Sequence, residues 1–303
     1  MATLVRSISQ NGGVICTAID STDIAAKAEQ IHRTSATVTA ALGRLLTAAS
    51  LMGVMLKSQE NSITIRLQGD GPAGLLIAVT DGLGNVRGDV EHPVVEIPLN
   101  GKGKLDVAGA VGRNGRLSVV KDLGMRDPYI GQVPIVSGEI AEDITHYYAV
   151  SEQTPTVCAL GVLVNPDLTV KAAGGFLAQL LPGAMEEDII DRLEQNIGKL
   201  SSVTQLLTGG ASAEDICRMV LDGLAPQILE TTHPEYRCSC SRQRVERALL
   251  SIGKADLQQM MEEEEVVEVN CHFCGKKYHF DRGDLRILLE KAEKKTKDFP
   301  VLR

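Results

Sequence analysis

The sequence is poor in aromatic residues. It contains no tryptophan, five tyrosines and four phenylalanines among 303 residues. Five of these nine aromatic residues lie after residue 231, although that segment is less than a quarter of the chain. A small domain has few core positions, so each of them has to bury a large apolar area. The aromatic distribution therefore predicts a small separate domain in the segment 232–303.

The chain also lacks an excess of basic residues. Its 31 Lys and Arg are outnumbered by 39 Asp and Glu, which gives a net charge of −8. Nucleic-acid-binding proteins need a basic footprint, so the charge argues against that class and predicts no nucleic-acid partner. A zinc-ribbon nucleic-acid binder, with Lys276, Lys277 and Arg282 on phosphate, stays open as a minor alternative.

Long apolar runs are scarce as well. The longest, Leu42 to Leu56, contains Arg44 and is predicted to be too short to span a bilayer. The first residues show no basic start followed by an apolar run, so we expect no signal peptide. These features predict a cytoplasmic protein with no membrane partner. In such a reducing compartment the seven cysteines are more typical of metal or redox sites than of structural disulfides.

The pattern of apolar residues predicts an α+β fold with a hairpin-rich core domain at 1–180. Residues 34–57 have helical spacing, and strand-like runs such as "SITIRLQ" and "LLIAVT" are separated by turn residues. The glycine-rich pieces "GDGPAG" and "GKGK" match neither GxxxxGK[ST] nor GxGxxG, so they are predicted to be hairpin turns and not phosphate-binding loops.

A helical linker is predicted at 181–231, before a zinc-binding domain at 232–303. Ser212 stands three residues before Asp215, a variant of the capping box that begins a helix. The linker has two narrow apolar stripes: Ile189, Leu193, Ile197 and Leu200, then Ile216, Met219, Val220 and Leu224. A helical subdomain packed permanently on the core is an equally good interpretation of this segment.

Four of the cysteines form two tight pairs. Cys238 and Cys240 are separated by one residue, and Cys271 and Cys274 by two, with 30 residues between the pairs. Two thiolate pairs brought together predict a tetrahedral four-cysteine site for one Zn²⁺. The second pair lies in a knuckle turn between the strands "VVEV" and "KYHF". His272 and His279 are weaker alternative ligands, because four thiolates already complete the shell.

A comparison of the free energies of zinc binding and disulfide formation indicates a site that is sensitive to oxidation. A structural zinc contributes on the order of 10–16 kcal/mol to folding. A disulfide within each pair would contribute only about 1.5–2 kcal/mol by loop closure. We therefore expect an oxidised module to unfold, and the helices before it to lose any packing partner there. The acidic run Glu262 to Glu265 either repels the negative metal centre or is simply a solvated helix end.

The other three cysteines, Cys16, Cys158 and Cys217, lie in apolar segments and are predicted to be small buried hydrophobic residues. A thiol–disulfide oxidoreductase that uses the CxxC motif is the alternative function. Such a motif normally opens a helix in a thioredoxin-like setting, which the knuckle turn does not provide. The sequence contains no GxSxG, HExxH or P-loop motif, so no catalytic turnover is expected.

The cysteine arrangement resembles the zinc switch of a known family, the redox-regulated heat-shock holdases (the 33 kDa chaperonin family). The similarity covers essentially the whole chain, and the four switch positions match. The segments that carry it are "TAALGRLLTAASLMGVMLK", "LSVVKDLG", "YIGQVPIVSGEIAEDITHYYAVSEQTP" and "GVLVNPDLTVKAAGGFLAQLLPG".

The resemblance implies a function that the residues alone do not. In the family the reduced, zinc-bound form is dormant, and oxidant with mild unfolding stress releases the zinc. Disulfides within each pair correspond here to Cys238–Cys240 and Cys271–Cys274. The linker then becomes disordered, and exposed apolar surface holds unfolding client proteins without ATP. The resemblance further implies an active homodimer.

Overall fold

The computed structural model describes residues 1–182 and 187–298, which fall into two compact units, Met1–Arg237 and Cys238–Arg303. The strands are β1 (Thr3–Ile8), β2 (Val14–Asp20), β3 (Ser62–Gln68), β4 (Leu75–Asp81), β5 (Val86–Val90), β6 (Arg116–Asp122), β7 (Tyr129–Pro134), β8 (Thr156–Val164), β9 (Val170–Leu180), β10 (Gln227–Thr232), β11 (Val266–Asn270) and β12 (Lys277–Asp281). The α-helices are α1 (Thr22–His32), α2 (Ala36–Gly53), α3 (Val107–Val111), α4 (Ala141–Tyr147), α5 (Glu187–Lys199), α6 (Val203–Thr208), α7 (Ala213–Val220), α8 (Arg242–Ile252), α9 (Lys254–Glu263) and α10 (Arg282–Asp298), and a π-helical turn at Tyr148–Glu152 follows α4.

The first unit contains two antiparallel sheets of five strands. The first sheet has the order β10-β1-β2-β9-β8, and the second has the order β5-β4-β3-β6-β7. Neighbours in the second sheet are mostly joined by short turns, and "GDGPAG" joins β3 to β4 as predicted. The prediction for "GKGK" is wrong, because this segment lies in the loop between β5 and α3 and joins no two strands. The α+β fold with a hairpin-rich core is therefore confirmed.

Helix α2 is the central helix of the first unit. It is long and apolar enough to cross a membrane by length and composition, yet 89% of it is buried inside the fold. The predicted helix 34–57 is thus present, and its apolar run forms core. Its last residue, Gly53, packs so closely on the second sheet that an added Cβ would lie 2.5 Å from the carbonyl oxygen of Asp81. Glycine there permits the close approach of helix and strand.

The first sheet is covered on both faces. Successive side chains along a strand point to opposite faces of the sheet. Ile19 and Leu177 therefore pack in the cluster around α2, and Ala18 and Phe176 pack on the opposite face. Helices α5–α7 cover that opposite face through their apolar stripes, including Ile189, Leu193, Ile216 and Val220. The segment predicted to be a helical linker therefore packs on the first sheet, although its residues 183–186 lie outside the described residues.

One strand of this segment is not predicted by the sequence. Residues 227–232 form β10, an edge strand paired with β1, where the sequence indicates a helical connector up to about 230. Most side chains of β10 are exposed, so its sequence has no apolar alternation to reveal a strand. The pairing with β1, a long-range contact, decides its conformation.

The chain then runs from the first sheet to the second before the first unit ends. Residues 235–237 lie beside β5: Val86 N donates to Glu235 O at 3.0 Å, and Arg237 N donates to Val86 O at 2.7 Å. We call residues 227–237 the tether, because they lie between the linker helices and Cys238, the first of the four paired cysteines. The tether is thus hydrogen-bonded to an edge of each large sheet.

The second unit is a small module built from α8, α9, the β11–β12 hairpin and α10. Its core combines the hairpin with residues from all three helices. The buried side chains are Leu249, Leu257, Val267, Tyr278, Phe280, Leu285, Leu288 and Leu289. Tyr278 and Phe280, two of the aromatic residues that predict this domain, alternate on β12 toward the core.

Candidate metal centre

The four paired cysteines meet at one point of the second unit. Their Sγ atoms all lie within 4.8 Å of one another. Two sulfur contacts join the two pairs: Cys238 lies 3.7 Å from Cys271, and Cys240 lies 3.4 Å from Cys274. All four side chains are partly buried. The two pairs, 30 residues apart in the sequence, therefore form one cluster, as the spacing predicts.

The second pair is held in the turn of the β11–β12 hairpin. Cys271 N donates to Lys276 O at 2.9 Å, and Gly275 N donates to Cys271 O at 2.8 Å. Gly275 has a φ of 69°, a left-handed conformation that favours glycine. The CxxC motif thus lies between two strands and not at the start of a helix, which is the position a thioredoxin-like dithiol would occupy.

The first pair is placed by the segment that enters α8. Ser241 caps this helix, accepting a hydrogen bond of 3.3 Å from Arg244 N. Arg242, the first residue of α8, then donates to His279 O at 2.9 Å and pairs with Asp284 at 2.6 Å. Its guanidinium lies 4.4 Å from the centre of the Phe280 ring. These contacts fix the start of α8, and with it Cys240, against the hairpin that carries the second pair.

Tyr278 is the one tyrosine among the described residues that contacts the cluster. Its hydroxyl donates a hydrogen bond of 3.1 Å to the Cys240 sulfur, while its ring is buried in the core of the module. The sequence gives a weak signal for this role, because Tyr278 stands four residues after Cys274 in a strand that returns past the cluster. Nothing in the pattern alone distinguishes it from an ordinary core aromatic residue.

The donor set fits a tetrahedral zinc ion. With Zn–S bonds of about 2.3 Å, the sulfurs of a tetrahedral site lie about 3.8 Å apart. The contacts of 3.7 and 3.4 Å are close to that separation, and all four sulfurs lie within 4.8 Å of one another. Four sulfur donors also select zinc over hard cations such as Mg²⁺ and Ca²⁺. The residues present could therefore hold one Zn²⁺ between them.

The thiols in this cluster do not ionise alike. Burial by itself would raise the pKa of Cys240, but hydrogen bonds from Tyr278 and from the neighbouring thiols lower it to about 7. Burial raises the pKa of Cys274 to about 12, and burial also raises the pKa of Cys238. Of these three thiols, Cys240 is the one whose surroundings favour the thiolate.

The histidine and lysine residues near the cluster have other partners. His279 Nε2 lies 3.1 Å from a Glu268 carboxylate oxygen, and Lys277 Nζ lies 2.7 Å from the other oxygen of the same group. The Lys276 ammonium lies 5.3 Å from the centre of the Tyr278 ring. His279, one of the two alternative metal ligands, is thus directed to the surface of the hairpin. The acidic run Glu262 to Glu265 is exposed throughout, as a solvated helix end would be.

The three remaining cysteines are all buried, as the sequence predicts. Cys158 lies in the core around α2, and burial raises its pKa to about 12. Cys16 and Cys217, however, are neighbours in the cluster beneath the linker helices. The sequence does not reveal this contact, because the two residues are 201 positions apart.

Comparisons with known proteins agree on one family. The model of the family described as "Hsp33 protein" matches residues 2–281. A protein of Clostridioides difficile (strain 630) named "33 kDa chaperonin" is 48% identical over 287 residues, which is 95% of this chain and 98% of that protein. A protein of the same name from Geobacillus kaustophilus (strain HTA426) is 45% identical over 291 residues, 96% of this chain and 98% of that protein.

The fold is similar to that of a solved member of the same family. The crystal structure of the 33 kDa chaperonin from Thermotoga maritima superimposes with a TM-score of 0.89 at 36% identity. The match covers 96% of this chain and 99% of that chain. The similarity therefore extends over both compact units.

Proposed function

This chain belongs to the Hsp33 family, and from that premise we propose that it is a molecular chaperone switched on by oxidation of its four-cysteine cluster. In the reduced state the protein holds one Zn²⁺ and is dormant. In the oxidised state it binds unfolding client proteins and prevents their aggregation without ATP and without catalytic turnover. It acts as a homodimer in the cytoplasm.

The switch residues are Cys238, Cys240, Cys271 and Cys274. When bound, zinc keeps the four sulfurs deprotonated while it shields them from solvent. A thiolate that reacts with a hydroperoxide becomes a sulfenic acid, and a hydroxide ion leaves. The sulfenic acid condenses with a neighbouring thiol to a disulfide, with release of water. Two such reactions consume all four thiolates, so no donor remains for the metal.

The pairing of the disulfides determines what happens to the module. Disulfides within each pair close very small loops and contribute only about 1.5–2 kcal/mol each. Cross-pair disulfides, between cysteines 33 and 34 positions apart, would close long loops. Each of these would contribute about 4 kcal/mol. We propose pairing within Cys238–Cys240 and within Cys271–Cys274, because that pairing returns the least stability to the module once the metal is lost.

The apolar contact between the linker helices and the first sheet is the observation that carries the client-binding proposal. Helices α5–α7 cover one whole face of this sheet with two apolar stripes. Release of the helices would expose apolar surface on both partners at once, and large exposed apolar patches bind other proteins. We propose that clients bind these surfaces, with residues 1–180 as the client-binding and dimerisation domain, 181–231 as the linker and 232–303 as the switch.

The packing partners of α5–α7 among the described residues lie on the first sheet. The connection from the switch to the helices is the tether, whose last residue precedes Cys238. We propose that unfolding of the module frees the tether from the two sheet edges, and that α5–α7 then lose their fixed end.

The test is light scattering from a thermally unfolding enzyme, without ATP. Zinc-loaded reduced protein is compared with protein treated with peroxide at elevated temperature. We expect suppression of aggregation only by the oxidised protein, with zinc released into a chromogenic chelator and disulfide pairing read by peptide mass spectrometry. Equal suppression in both states, or none in either, would contradict the redox switch.

Two variants sharpen this test. Cys271→Ala with Cys274→Ala removes half of the metal ligands, so the double variant should lose zinc and suppress aggregation without oxidant. Cys158→Ser is the matched control, because Cys158 is a buried thiol far from the cluster in the sequence. It should behave like the unchanged chain in both redox states. A folded, inactive double variant would contradict the role given to the cluster.

A further inference from the structure

Two buried thiols outside the metal cluster lie side by side. Cys16 is on β2 and Cys217 is on α7, and neither side chain is exposed. The Cys217 sulfur lies 3.7 Å from the carbonyl oxygen of Cys16 and 3.6 Å from that of Val5. The pair therefore spans the contact between a linker helix and the first sheet.

The two thiols are inequivalent. The interaction of the two thiols raises the pKa of Cys16 and lowers that of Cys217, and burial acts against the lowering at Cys217. Ser7 is opposite Cys16 in the β1–β2 register, and its hydroxyl donates to Cys16 O at 3.1 Å. Cys217 is thus the sulfur that ionises first, and Cys16 is positioned to act as its resolving thiol.

We propose that Cys16 and Cys217 are a second redox-active pair, which hydrogen peroxide converts to a disulfide that joins α7 to β2. The Cys217 thiolate attacks the peroxide, the O–O bond breaks, and a sulfenic acid forms as hydroxide leaves. The Cys16 thiol then attacks the sulfenic sulfur, and water leaves as the S–S bond forms. Two thiols are oxidised by two electrons, and one peroxide is reduced to two molecules of water.

Access to the pair is provided by local opening. Helix α7 has only eight residues, and only one of its faces contacts the sheet. Short surface helices open more readily than the whole unit unfolds, so peroxide reaches Cys217 in the opened state. When the helix closes again, the oxidised sulfur returns to Cys16 and the cross-link forms. The reaction is therefore slower than that of the partly buried metal cluster.

The cross-link would restrain the linker helices, an inference that rests on the function proposed above. A disulfide between Cys16 and Cys217 keeps α7 on the first sheet and keeps the apolar surface beneath it covered. It therefore opposes the release of the linker that oxidation of the metal cluster promotes. During prolonged exposure to peroxide, the metal cluster would be oxidised first and the chaperone activated. In molecules whose α7 then packs on the first sheet again, the Cys16–Cys217 disulfide would hold the linker in place.

The first experiment maps the disulfide itself. Zinc-loaded, full-length protein is exposed to peroxide, free thiols are blocked with iodoacetamide, and unreduced peptides are analysed by mass spectrometry. We expect a peptide linking Cys16 to Cys217 in the unchanged chain and in Cys158→Ser, and none in Cys217→Ser or Cys16→Ala. If both thiols remain alkylatable, or are oxidised to sulfinic acid without joining, the proposal is wrong.

The second experiment measures the restraint. After identical peroxide treatment, limited proteolysis within α5–α7 should be about tenfold or more slower in the unchanged chain than in Cys217→Ser, because cleavage follows the open population. Dithiothreitol should abolish this difference between the two proteins. A mapped disulfide without slower cleavage would contradict the restraining role. Neither measurement uses chaperone activity, so failure of the proposed function would leave both results interpretable.

Discussion

The hydroxyl of Tyr236 donates a hydrogen bond of 2.9 Å to the carbonyl oxygen of Gly88. Tyr236 lies two residues before Cys238, the first cysteine of the metal cluster. The same hydroxyl accepts from Gly88 N at 3.3 Å and lies 3.2 Å from Nε2 of His32. One phenol group thereby holds the end of the tether against β5 and α1. Tyr236 therefore anchors the last part of the tether, just before Cys238, within the first unit.

Replacing Tyr236 by Phe should weaken the tether. The variant keeps the ring but removes the hydroxyl that serves both backbone groups of Gly88, so the first unit should lose about 1–2 kcal/mol of stability. In reduced protein, hydrogen exchange of β10 should become faster. Tyr129→Phe is the control, because Tyr129 is exposed and should change stability by less than about 0.5 kcal/mol. Unchanged exchange in β10 would rule out the anchoring role.

The stability of the first unit should fall in mild acid because of His32. Burial lowers the pKa of His32 below 6.5, although Asp89, 3.6 Å away, acts in the opposite direction. The unfolded chain therefore takes up this proton at a higher pH than the folded chain does. The resulting loss of stability begins near pH 6.5 and grows until the pH reaches the lowered pKa.

Urea unfolding at several values between about pH 5 and 7 measures this dependence. His32→Gln should remove part of the slope, whereas His92→Gln, at an exposed site, should leave it unchanged. A slope that is the same in the His32 variant and the unchanged chain would assign the acid sensitivity to other groups.

Tyr278→Phe should weaken metal binding while the module keeps its fold. The ring stays in the core, but the hydrogen bond of 3.1 Å to the Cys240 sulfur is lost. Loss of such a supporting contact typically reduces metal affinity about 10–100-fold. Competition with a chromogenic chelator measures the affinity, and release of zinc by peroxide should be faster. His279→Gln, which removes the contact with Glu268, is the control and should leave the affinity unchanged.

Ile216→Ala should loosen α7 from the first sheet. Ile216 is fully buried beneath the helix, and loss of its side chain should destabilise the packing by about 2–5 kcal/mol. Met219, on the same helix, is 36% exposed and provides the matched control Met219→Ala. We expect the Ile216 variant alone to bind a hydrophobic dye in the reduced state. Equal dye binding by both variants would argue against α7 as a cover of client-binding surface.

Local patterns in the sequence were sufficient for much of the fold. The caps and apolar stripes predict the linker helices, and the turn residues predict the hairpins, because these features depend on neighbours within a few residues. The separate four-cysteine module also follows from the sequence, since tight thiol pairs have few alternatives to a shared metal. The strand β10 does not follow, because its partner β1 lies more than 200 residues away.

The sequence by itself determined the α+β class, the two cysteine pairs that form the cluster and the amphipathic character of the linker. Only the tertiary structure decided what the linker covers, where the tether is anchored and which buried thiols meet. Ser212 and Asp215 act within one helical turn, so a local pattern is enough to recognise them. The meeting of Cys16 with Cys217 depends on the packing of a helix on a distant strand, and that packing is set by many apolar contacts together.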